Sequence, residues 1–155
     1  MKVEWIQPFV TSAIRVLEAE LGMEAQVGEL AAERAANTTQ EVSVLIGITG
    51  QVEGTVIYGT SKLVATEMVM HLTGERRPVF DEVSESAMGE LGNIISGGAA
   101  ALFEESGIHC SISPPTVIVG RGTIISTVNM KRLLIPLILP FGQLHIAVAL
   151  RSTVG

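Results

Sequence analysis

Four residues in the middle of the chain recur at helical spacing: Ser86, Glu90, Asn93 and Gly97. Steps of four, three and four residues place them in one stripe along one face of an α-helix. The nearby apolar side chains collect in another stripe, about 120° away around the helix axis, made of Val83, Ala87, Leu91, Ile94, Ile95 and Leu102. The spacing therefore predicts a long helix, over about residues 80–106, that presents a carboxylate and a carboxamide to solvent one turn apart.

Glycines are unusually frequent in this helix, at Gly89, Gly92, Gly97 and Gly98. Each costs a helix about 0.5–1 kcal/mol relative to Ala. Gly92 and Gly98 are explained if another helix or a sheet packs closely there. We expect Gly89 and Gly97 on the outward face, where missing side chains leave a flat strip for another macromolecule. The plainer alternative is a solvated glutamate beside a weak helix former, since an E-x-x-N spacing alone is a weak signal.

The composition indicates a folded, acidic protein. With 155 residues, of which 47% are hydrophobic, the chain suits one domain over residues 1–155. Its net charge of −6 argues against a nucleic-acid partner, which requires clustered Lys and Arg. The single cysteine, Cys110, excludes an internal disulfide and fits a reducing cytoplasm. No secretory signal is expected in the first residues.

Helical and strand patterns follow one another without a regular β-α-β alternation, which favours an α+β fold: a mostly antiparallel sheet with helices on one face. A helix over residues 7–21 should end at Gly22, and a second should run from Ser61 to Gly74 with Leu63, Met68, Met70 and Leu72 as apolar positions. A hairpin over residues 42–58 should turn through 50–54. Later strands are predicted at 109–113, 116–119, 123–128, 133–139 and 144–151.

The apolar stretch Leu133–Leu150 is long enough to raise the question of a membrane span. Pro136 and Pro140 interrupt it, and its second half alternates between apolar and other residues with a period of two. That period is typical of a strand with one buried face. We therefore expect two strands here and no membrane span.

No constellation for metal or cofactor chemistry is present in the sequence. The three histidines are far apart, and neither a zinc motif nor a phosphate-binding glycine loop occurs. Cys110 is expected to be a half-buried strand residue rather than a nucleophile. His145 has the opposite parity from the apolar residues of its strand, which predicts a solvated or edge position. The sequence therefore implies no cofactor of its own.

The pattern Ser86-x-x-x-Glu90-x-x-Asn93, followed after 21 residues by Pro115, resembles the signature of the CheC/CheX/FliY family of chemotaxis phosphatases. The resemblance extends over nearly the whole chain, including residues 7–10, 41–50 and 112–120. CheC-type members typically carry two such helices, so the single copy here favours the CheX branch. The family pattern allows Asp or Ser at the first position, and the role of Ser86 stays open.

This resemblance implies a CheC-like fold and hydrolysis of the aspartyl phosphate on a CheY-like response regulator. Asn93 would aim the attacking water, as a glutamine does in GTPases, and Glu90 would dock on a lysine of the receiver domain. The other residues implied at the docking surface are Ser86, Gly89, Gly97 and Pro115. Mg²⁺ would come with the phosphorylated receiver, and the protein would be a homodimer joined through its sheets.

Two alternatives are open from the sequence. The same helix face could belong to a non-catalytic module that binds a receiver domain or a flagellar switch protein. The chain could also be a structural dimer, joined through its sheet, in which the exposed Glu90 and Asn93 have no role. Faster phosphate loss from a bound receiver favours the enzyme over both alternatives.

Overall fold

A computed structural model describes residues 1–33, 40–121, 125 and 130–154. After a short 3-10 turn at Val3–Trp5, the helices are α1 (Gln7–Leu21), α2 (Lys62–Thr73) and α3 (Glu82–Glu105). The strands are β1 (Gln26–Val27), β2 (Ala31–Glu33), β3 (Val42–Gly50), β4 (Val52–Thr60), β5 (Cys110–Ile112), β6 (Thr116–Val119), β7 (Arg132–Leu139) and β8 (Gly142–Ser152). The strand predicted at 123–128 falls almost entirely outside the described residues.

The strands form one antiparallel sheet in the order β1-β7-β8-β4-β3-β5, in which β2 also pairs with β7 and β6 also pairs with β3. The three helices cover one face of this sheet. The α+β prediction is therefore confirmed. The apolar stretch before the C-terminus forms the hairpin β7–β8, as predicted, and none of the described helices is long and apolar enough to cross a membrane.

The first two helices begin and end where local sequence signals place them. Ser61 caps α2 by accepting a hydrogen bond from the backbone N–H of Val64 at 3.1 Å. Gly22 and Gly74 follow α1 and α2 with φ of 66° and 78°, a left-handed conformation in which a Cβ atom is strained. These glycines stop the helices as predicted.

The β3–β4 hairpin is tighter than expected. The predicted loop over residues 50–54 is wrong, because β4 already begins at Val52 and Gly54 pairs with Ile48. Gly54 has a φ of 150°, and a Cβ there would overlap the carbonyl of Ala149 in β8. Glycine at this position therefore reflects close approach of the next strand rather than a loop.

The buried faces of α2 and α3 do not follow the apolar residues closely, and the prediction for α3 is wrong. Leu63 lies in the first turn of α2 with 76% of its surface exposed, because the buried stripe of that helix runs through Val64, Ala65, Met68 and Val69. In α3, Val83 is 47% exposed and the buried face is rotated by about one residue, or about 100°. Its members are Ser84, Met88, Gly89, Leu91, Gly92, Ile95, Ser96, Ala99 and Phe103. Five of these nine residues are Ser, Gly or Ala, and a pattern of large apolar residues does not identify them.

Candidate functional site

The predicted stripe faces outward on α3. Ser86 and Glu90 are exposed, and Asn93 and Gly97 are half-exposed. In the part of the chain that the structure describes, no residue forms a hydrogen bond or an ion pair with the side chain of Ser86, Glu90 or Asn93. The carboxylate and the carboxamide are therefore available to an external partner.

Gly97 and Gly89 have different surroundings, although both were expected on the outward strip. A Cβ at Gly97 would meet no atom within 4 Å, so the helix surface there is open. Gly89 is buried: a Cβ there would lie 3.3 Å from Cγ2 of Val117 and 3.5 Å from Cγ of Pro115. The expectation for Gly89 is wrong, because this glycine lets the 115–117 segment pack against the helix.

A shallow groove runs between α3 and this segment. Its lining combines helix residues with Pro115 and Val117 and consists of Glu85, Ser86, Gly89, Glu90, Pro115 and Val117. The groove thus brings together four of the six predicted site residues, namely Ser86, Gly89, Glu90 and Pro115. The other two, Asn93 and Gly97, continue the stripe of Ser86 and Glu90 along the helix. Sequence reasoning missed Val117, for which the only signal was its alternation in a predicted strand.

The N-terminus of α3 is anchored by a charged pair that the sequence analysis did not single out. Asp81 caps the helix by accepting hydrogen bonds from the N–H and the hydroxyl of Ser84, each at 3.0 Å. The guanidinium of Arg77 donates to the same carboxylate at 2.7–2.9 Å. These hydrogen bonds, those from Arg77 first, hold the pKa of Asp81 well below its usual range.

The inner face of α3 lies unusually close to the sheet because of its small residues. A Cβ at Gly92 would lie 2.8 Å from Cγ1 of Val44 and 3.3 Å from Cδ2 of Tyr58, which confirms that this glycine serves close packing. The hydroxyl of Tyr58 shares a buried hydrogen bond of 2.7 Å with Ser96. Burial raises the pKa of Tyr58, so its hydroxyl stays protonated.

The second half of α3 packs on α1 in the same manner. A Cβ at Gly98 would overlap the side chain of Ser12, whose hydroxyl donates to the carbonyl of Ile95 at 2.7 Å. Further along, the rings of Phe9 and Phe103 meet edge to face with centroids 5.8 Å apart. The helix is therefore held along its inner face, so the outward side chains project from a rigid support.

Metal and thiol chemistry find no support in the described residues. They contain no group of three His, Cys, Asp or Glu side chains that could hold a metal ion. Cys110 is half-buried, as predicted, and desolvation raises the pKa of its thiol, which disfavours the nucleophilic thiolate. His145 lies in β8, an internal strand, and its ring nitrogens contact Gln40 and Gln143 at 3.1 and 3.0 Å. His145 is therefore not at the sheet edge, and its side chain is half-buried.

Glu90 and Asn93 lie on the outer side of α3, and Glu90 also lines the shallow groove beside Pro115 and Val117. A carboxylate can bind a cationic side chain, and a carboxamide can hold a water molecule by accepting one hydrogen bond and donating another. A groove this shallow and open does not enclose a small substrate by itself. Such groups act when they are inserted into a pocket that a partner macromolecule supplies.

Comparison with known proteins identifies the family. The model of the family "Chemotaxis phosphatase CheX" matches residues 42–137. The CheY-P phosphatase CheX of Thermotoga maritima is 33% identical over 122 residues, covering 78% of this chain and 79% of that protein.

Solved structures agree in fold. A CheC-like superfamily protein from Shewanella sp. PV-4 superposes with a TM-score of 0.89 at 26% identity, covering 98% of this chain and all of the other. CheX in the CheX–CheY–BeF3–Mg²⁺ complex from Borrelia burgdorferi superposes with a TM-score of 0.84 at 28% identity, covering 97% of this chain and all of that one. The fold, the exposed pair on α3 and the matched family model lead to one conclusion: this chain belongs to the chemotaxis phosphatase CheX family.

Proposed function

We propose that this protein hydrolyses the aspartyl phosphate of a CheY-type receiver domain, using Glu90 to dock and Asn93 to position the attacking water. The proposal rests on the positions of Glu90 and Asn93. Their side chains are exposed one turn apart on a rigidly held helix, and no described residue forms a hydrogen bond or an ion pair with them. The relatives support the reaction class: one is a CheY-P phosphatase, and another was crystallised with CheY, beryllofluoride and Mg²⁺.

The chemistry requires positioning more than covalent help. In the reaction, the oxygen of a water molecule attacks phosphorus in line, and the bond between phosphorus and the aspartyl oxygen breaks. The products are inorganic phosphate and a free aspartate carboxylate, with one water proton released. Since the transition state is largely dissociative, a strong base accelerates the reaction little, and the rate depends mainly on the orientation of the water. The carboxamide of Asn93 suits that task because it both accepts and donates a hydrogen bond.

Glu90 suits docking because its carboxylate stands at the edge of the groove lined by Ser86 and Pro115. An ion pair with a lysine of the receiver would fix how deeply α3 enters the partner's pocket, and with it the reach of Asn93. The open surface at Gly97 lets the partner approach the helix closely. The protein needs no cofactor of its own in this mechanism, because Mg²⁺ belongs to the phosphorylated receiver, where it neutralises phosphoryl charge.

We also propose that residues 1–155 form one functional domain and that the protein acts in the cytoplasm as a homodimer. Every described strand belongs to one sheet. At its β1 edge, Val27 and the adjacent Leu30 are exposed, and so is Ile138 of the neighbouring strand β7. An exposed apolar sheet edge favours pairing with a second copy. Light scattering after size exclusion should give about 33 kDa, twice the chain mass of 16.4 kDa; a mass of one chain at micromolar concentration would contradict the dimer.

The test of the activity is steady-state phosphate release from a Mg²⁺-loaded, phosphorylated CheY-type receiver. Wild type should accelerate release. Asn93→Ala should lower kcat by about 10²-fold or more while its affinity for the receiver stays within a few-fold. Glu90→Ala should mainly raise KM, because docking is lost before chemistry. If wild type binds the receiver without shortening its phosphate lifetime, the protein is a docking module and the proposal is wrong.

A further inference from the structure

The edge of the sheet beside α3 contains a β-bulge. Strands β5 and β6 both pair with β3, but their registers differ by one residue. Between the last pair of β5 and the first pair of β6, residues 113–115 lie opposite only residues 46–47 of β3. An extra residue in one strand of an antiparallel pair defines a bulge, and a bulge at a sheet edge changes the direction of the side chains that follow it.

The bulge decides which side of the sheet Val117 faces. Ile112 and Val117 pair with Ile48 and Val44, two buried residues of β3 that face the helices. In an uninterrupted strand, side chains five positions apart lie on opposite faces. The extra residue reverses this alternation, so both Ile112 and Val117 lie on the helix side.

The redirected segment forms one wall of the groove beside Glu90. Pro115 and Val117 pack against Gly89 of α3, and both line the groove that Ser86 and Glu90 also line. The position of this wall relative to Glu90 therefore depends on the geometry of the bulge.

Ser113 holds the bulge to β3. Its backbone N–H donates to the carbonyl of Gly47 at 2.9 Å, and its hydroxyl accepts a hydrogen bond from the N–H of Gly47 at 2.8 Å. The same hydroxyl donates to the carbonyl of Pro114 at 3.2 Å. Because Pro114 and Pro115 have no N–H, neither can donate to β3. The two hydrogen bonds between Ser113 and Gly47 therefore fix the bulge.

The hydroxyl of Ser113 lies on the face of the sheet away from the helices. A Cβ at Gly47 would lie 3.2 Å from this hydroxyl, and Gly47 alternates with the helix-facing residues Ile46 and Ile48. The absence of a side chain at Gly47 leaves room for the hydroxyl. A receiver docked on α3 would thus not touch the Ser113 side chain.

We propose that Ser113 is a positioning residue for receiver docking: its hydroxyl fixes the bulge and thereby sets the groove wall formed by Pro115 and Val117. This inference rests on the proposed function. Ser113 acts on the receiver through the groove wall and not by contact, so it should affect affinity and leave the chemical step at Asn93 unchanged.

The decisive variant is Ser113→Ala, which removes the hydroxyl. Ser113→Thr keeps a hydroxyl on the same Cβ and should restore function. Ser111→Ala is the matched control: Ser111 is an exposed serine two residues earlier on the same edge, and within the described residues its side chain makes no hydrogen bond. Because Ser113 is exposed, water can replace its bond to Gly47, so Ser113→Ala should fold and melt within a few degrees of wild type.

Binding is measured by titration against a Mg²⁺-loaded CheY-type receiver activated with beryllofluoride, and turnover against the same receiver phosphorylated. Ser113→Ala should weaken binding about three- to tenfold and raise KM in parallel, with kcat within about twofold of wild type. Ser113→Thr and Ser111→Ala should bind as wild type does. In a Val117→Ala background, where part of the wall is already missing, Ser113→Ala should weaken binding by a smaller factor than in wild type.

Three outcomes would overturn the inference: wild-type affinity in Ser113→Ala, an equal loss in Ser111→Ala, or an undiminished effect in the Val117→Ala background. If wild type accelerates phosphate loss and Ser113→Ala binds as tightly, the proposed function stands and the role of Ser113 fails. If wild type binds the receiver without accelerating phosphate loss, and Ser113→Ala still loses affinity, the proposed catalysis fails and the positioning role stands.

Discussion

At Gly97, one substitution should change the stability of the protein and its activity in opposite directions. Replacement by alanine places a methyl group where nothing lies within 4 Å, so no packing opposes it. The helix gains about 0.8–1 kcal/mol, the difference between Gly and Ala in a helix interior. For a chain of this length that corresponds to a rise of about 2–4 °C in melting temperature. The same methyl group stands on the surface that the proposed receiver must approach.

Gly97→Ala should therefore be more stable than wild type and a poorer enzyme, with kcat/KM for the phosphorylated receiver reduced several-fold. Thermal unfolding followed by circular dichroism gives the first quantity, and phosphate release gives the second. Gly98→Ala is the matched control, since its Cβ would overlap Ser12 and should lower the melting temperature. A stabilised Gly97→Ala with unchanged kcat/KM would refute the role of the open glycine in docking.

Two further predictions concern how α3 is held. Gly92→Ala should lower the free energy of unfolding by about 1–3 kcal/mol, because the new Cβ would lie 2.8 Å from Cγ1 of Val44. Chemical denaturation measures this free energy, and unchanged stability would contradict the close packing. Arg77 and Ser84 lower the pKa of Asp81 in the folded protein. The ionised carboxylate therefore stabilises the fold at a pH above the ordinary Asp pKa of about 3.9, and this stabilisation is lost as the pH falls below that value. The free energy of unfolding should thus fall more steeply between pH 5 and pH 3 in wild type than in Asp81→Asn; parallel curves would contradict the argument.

The sequence predicted those features that depend on local signals. The ends of α1 and α2 follow from Gly22, Ser61 and Gly74, and the outward position of Glu90 and Asn93 follows from helical spacing alone. The β7–β8 hairpin follows from alternation interrupted by prolines. In each case the determining interaction lies within a few residues of the signal.

The sequence failed where distant contacts decide burial. The buried face of α3 was misplaced because small residues such as Gly92 and Ser96 pack against the sheet, and no hydrophobic pattern marks them. Gly89 is covered by Pro115 and Val117, which lie more than 25 positions later in the chain, so its burial depends on the path of the 113–116 segment. Leu63 is apolar but lies outside the core, because Val64 occupies the position that faces the core.

The central claim is that the carboxamide of Asn93 positions the water that attacks the aspartyl phosphate. The most direct test is a single-turnover measurement of how long the phosphoryl group stays on a Mg²⁺-loaded CheY-type receiver. The receiver is saturated with enzyme, so that differences in affinity do not affect the result. Wild type should shorten this lifetime, and saturating Asn93→Ala should leave it within a few-fold of the receiver alone. If saturating Asn93→Ala shortens the lifetime as much as wild type does, water positioning by Asn93 is wrong.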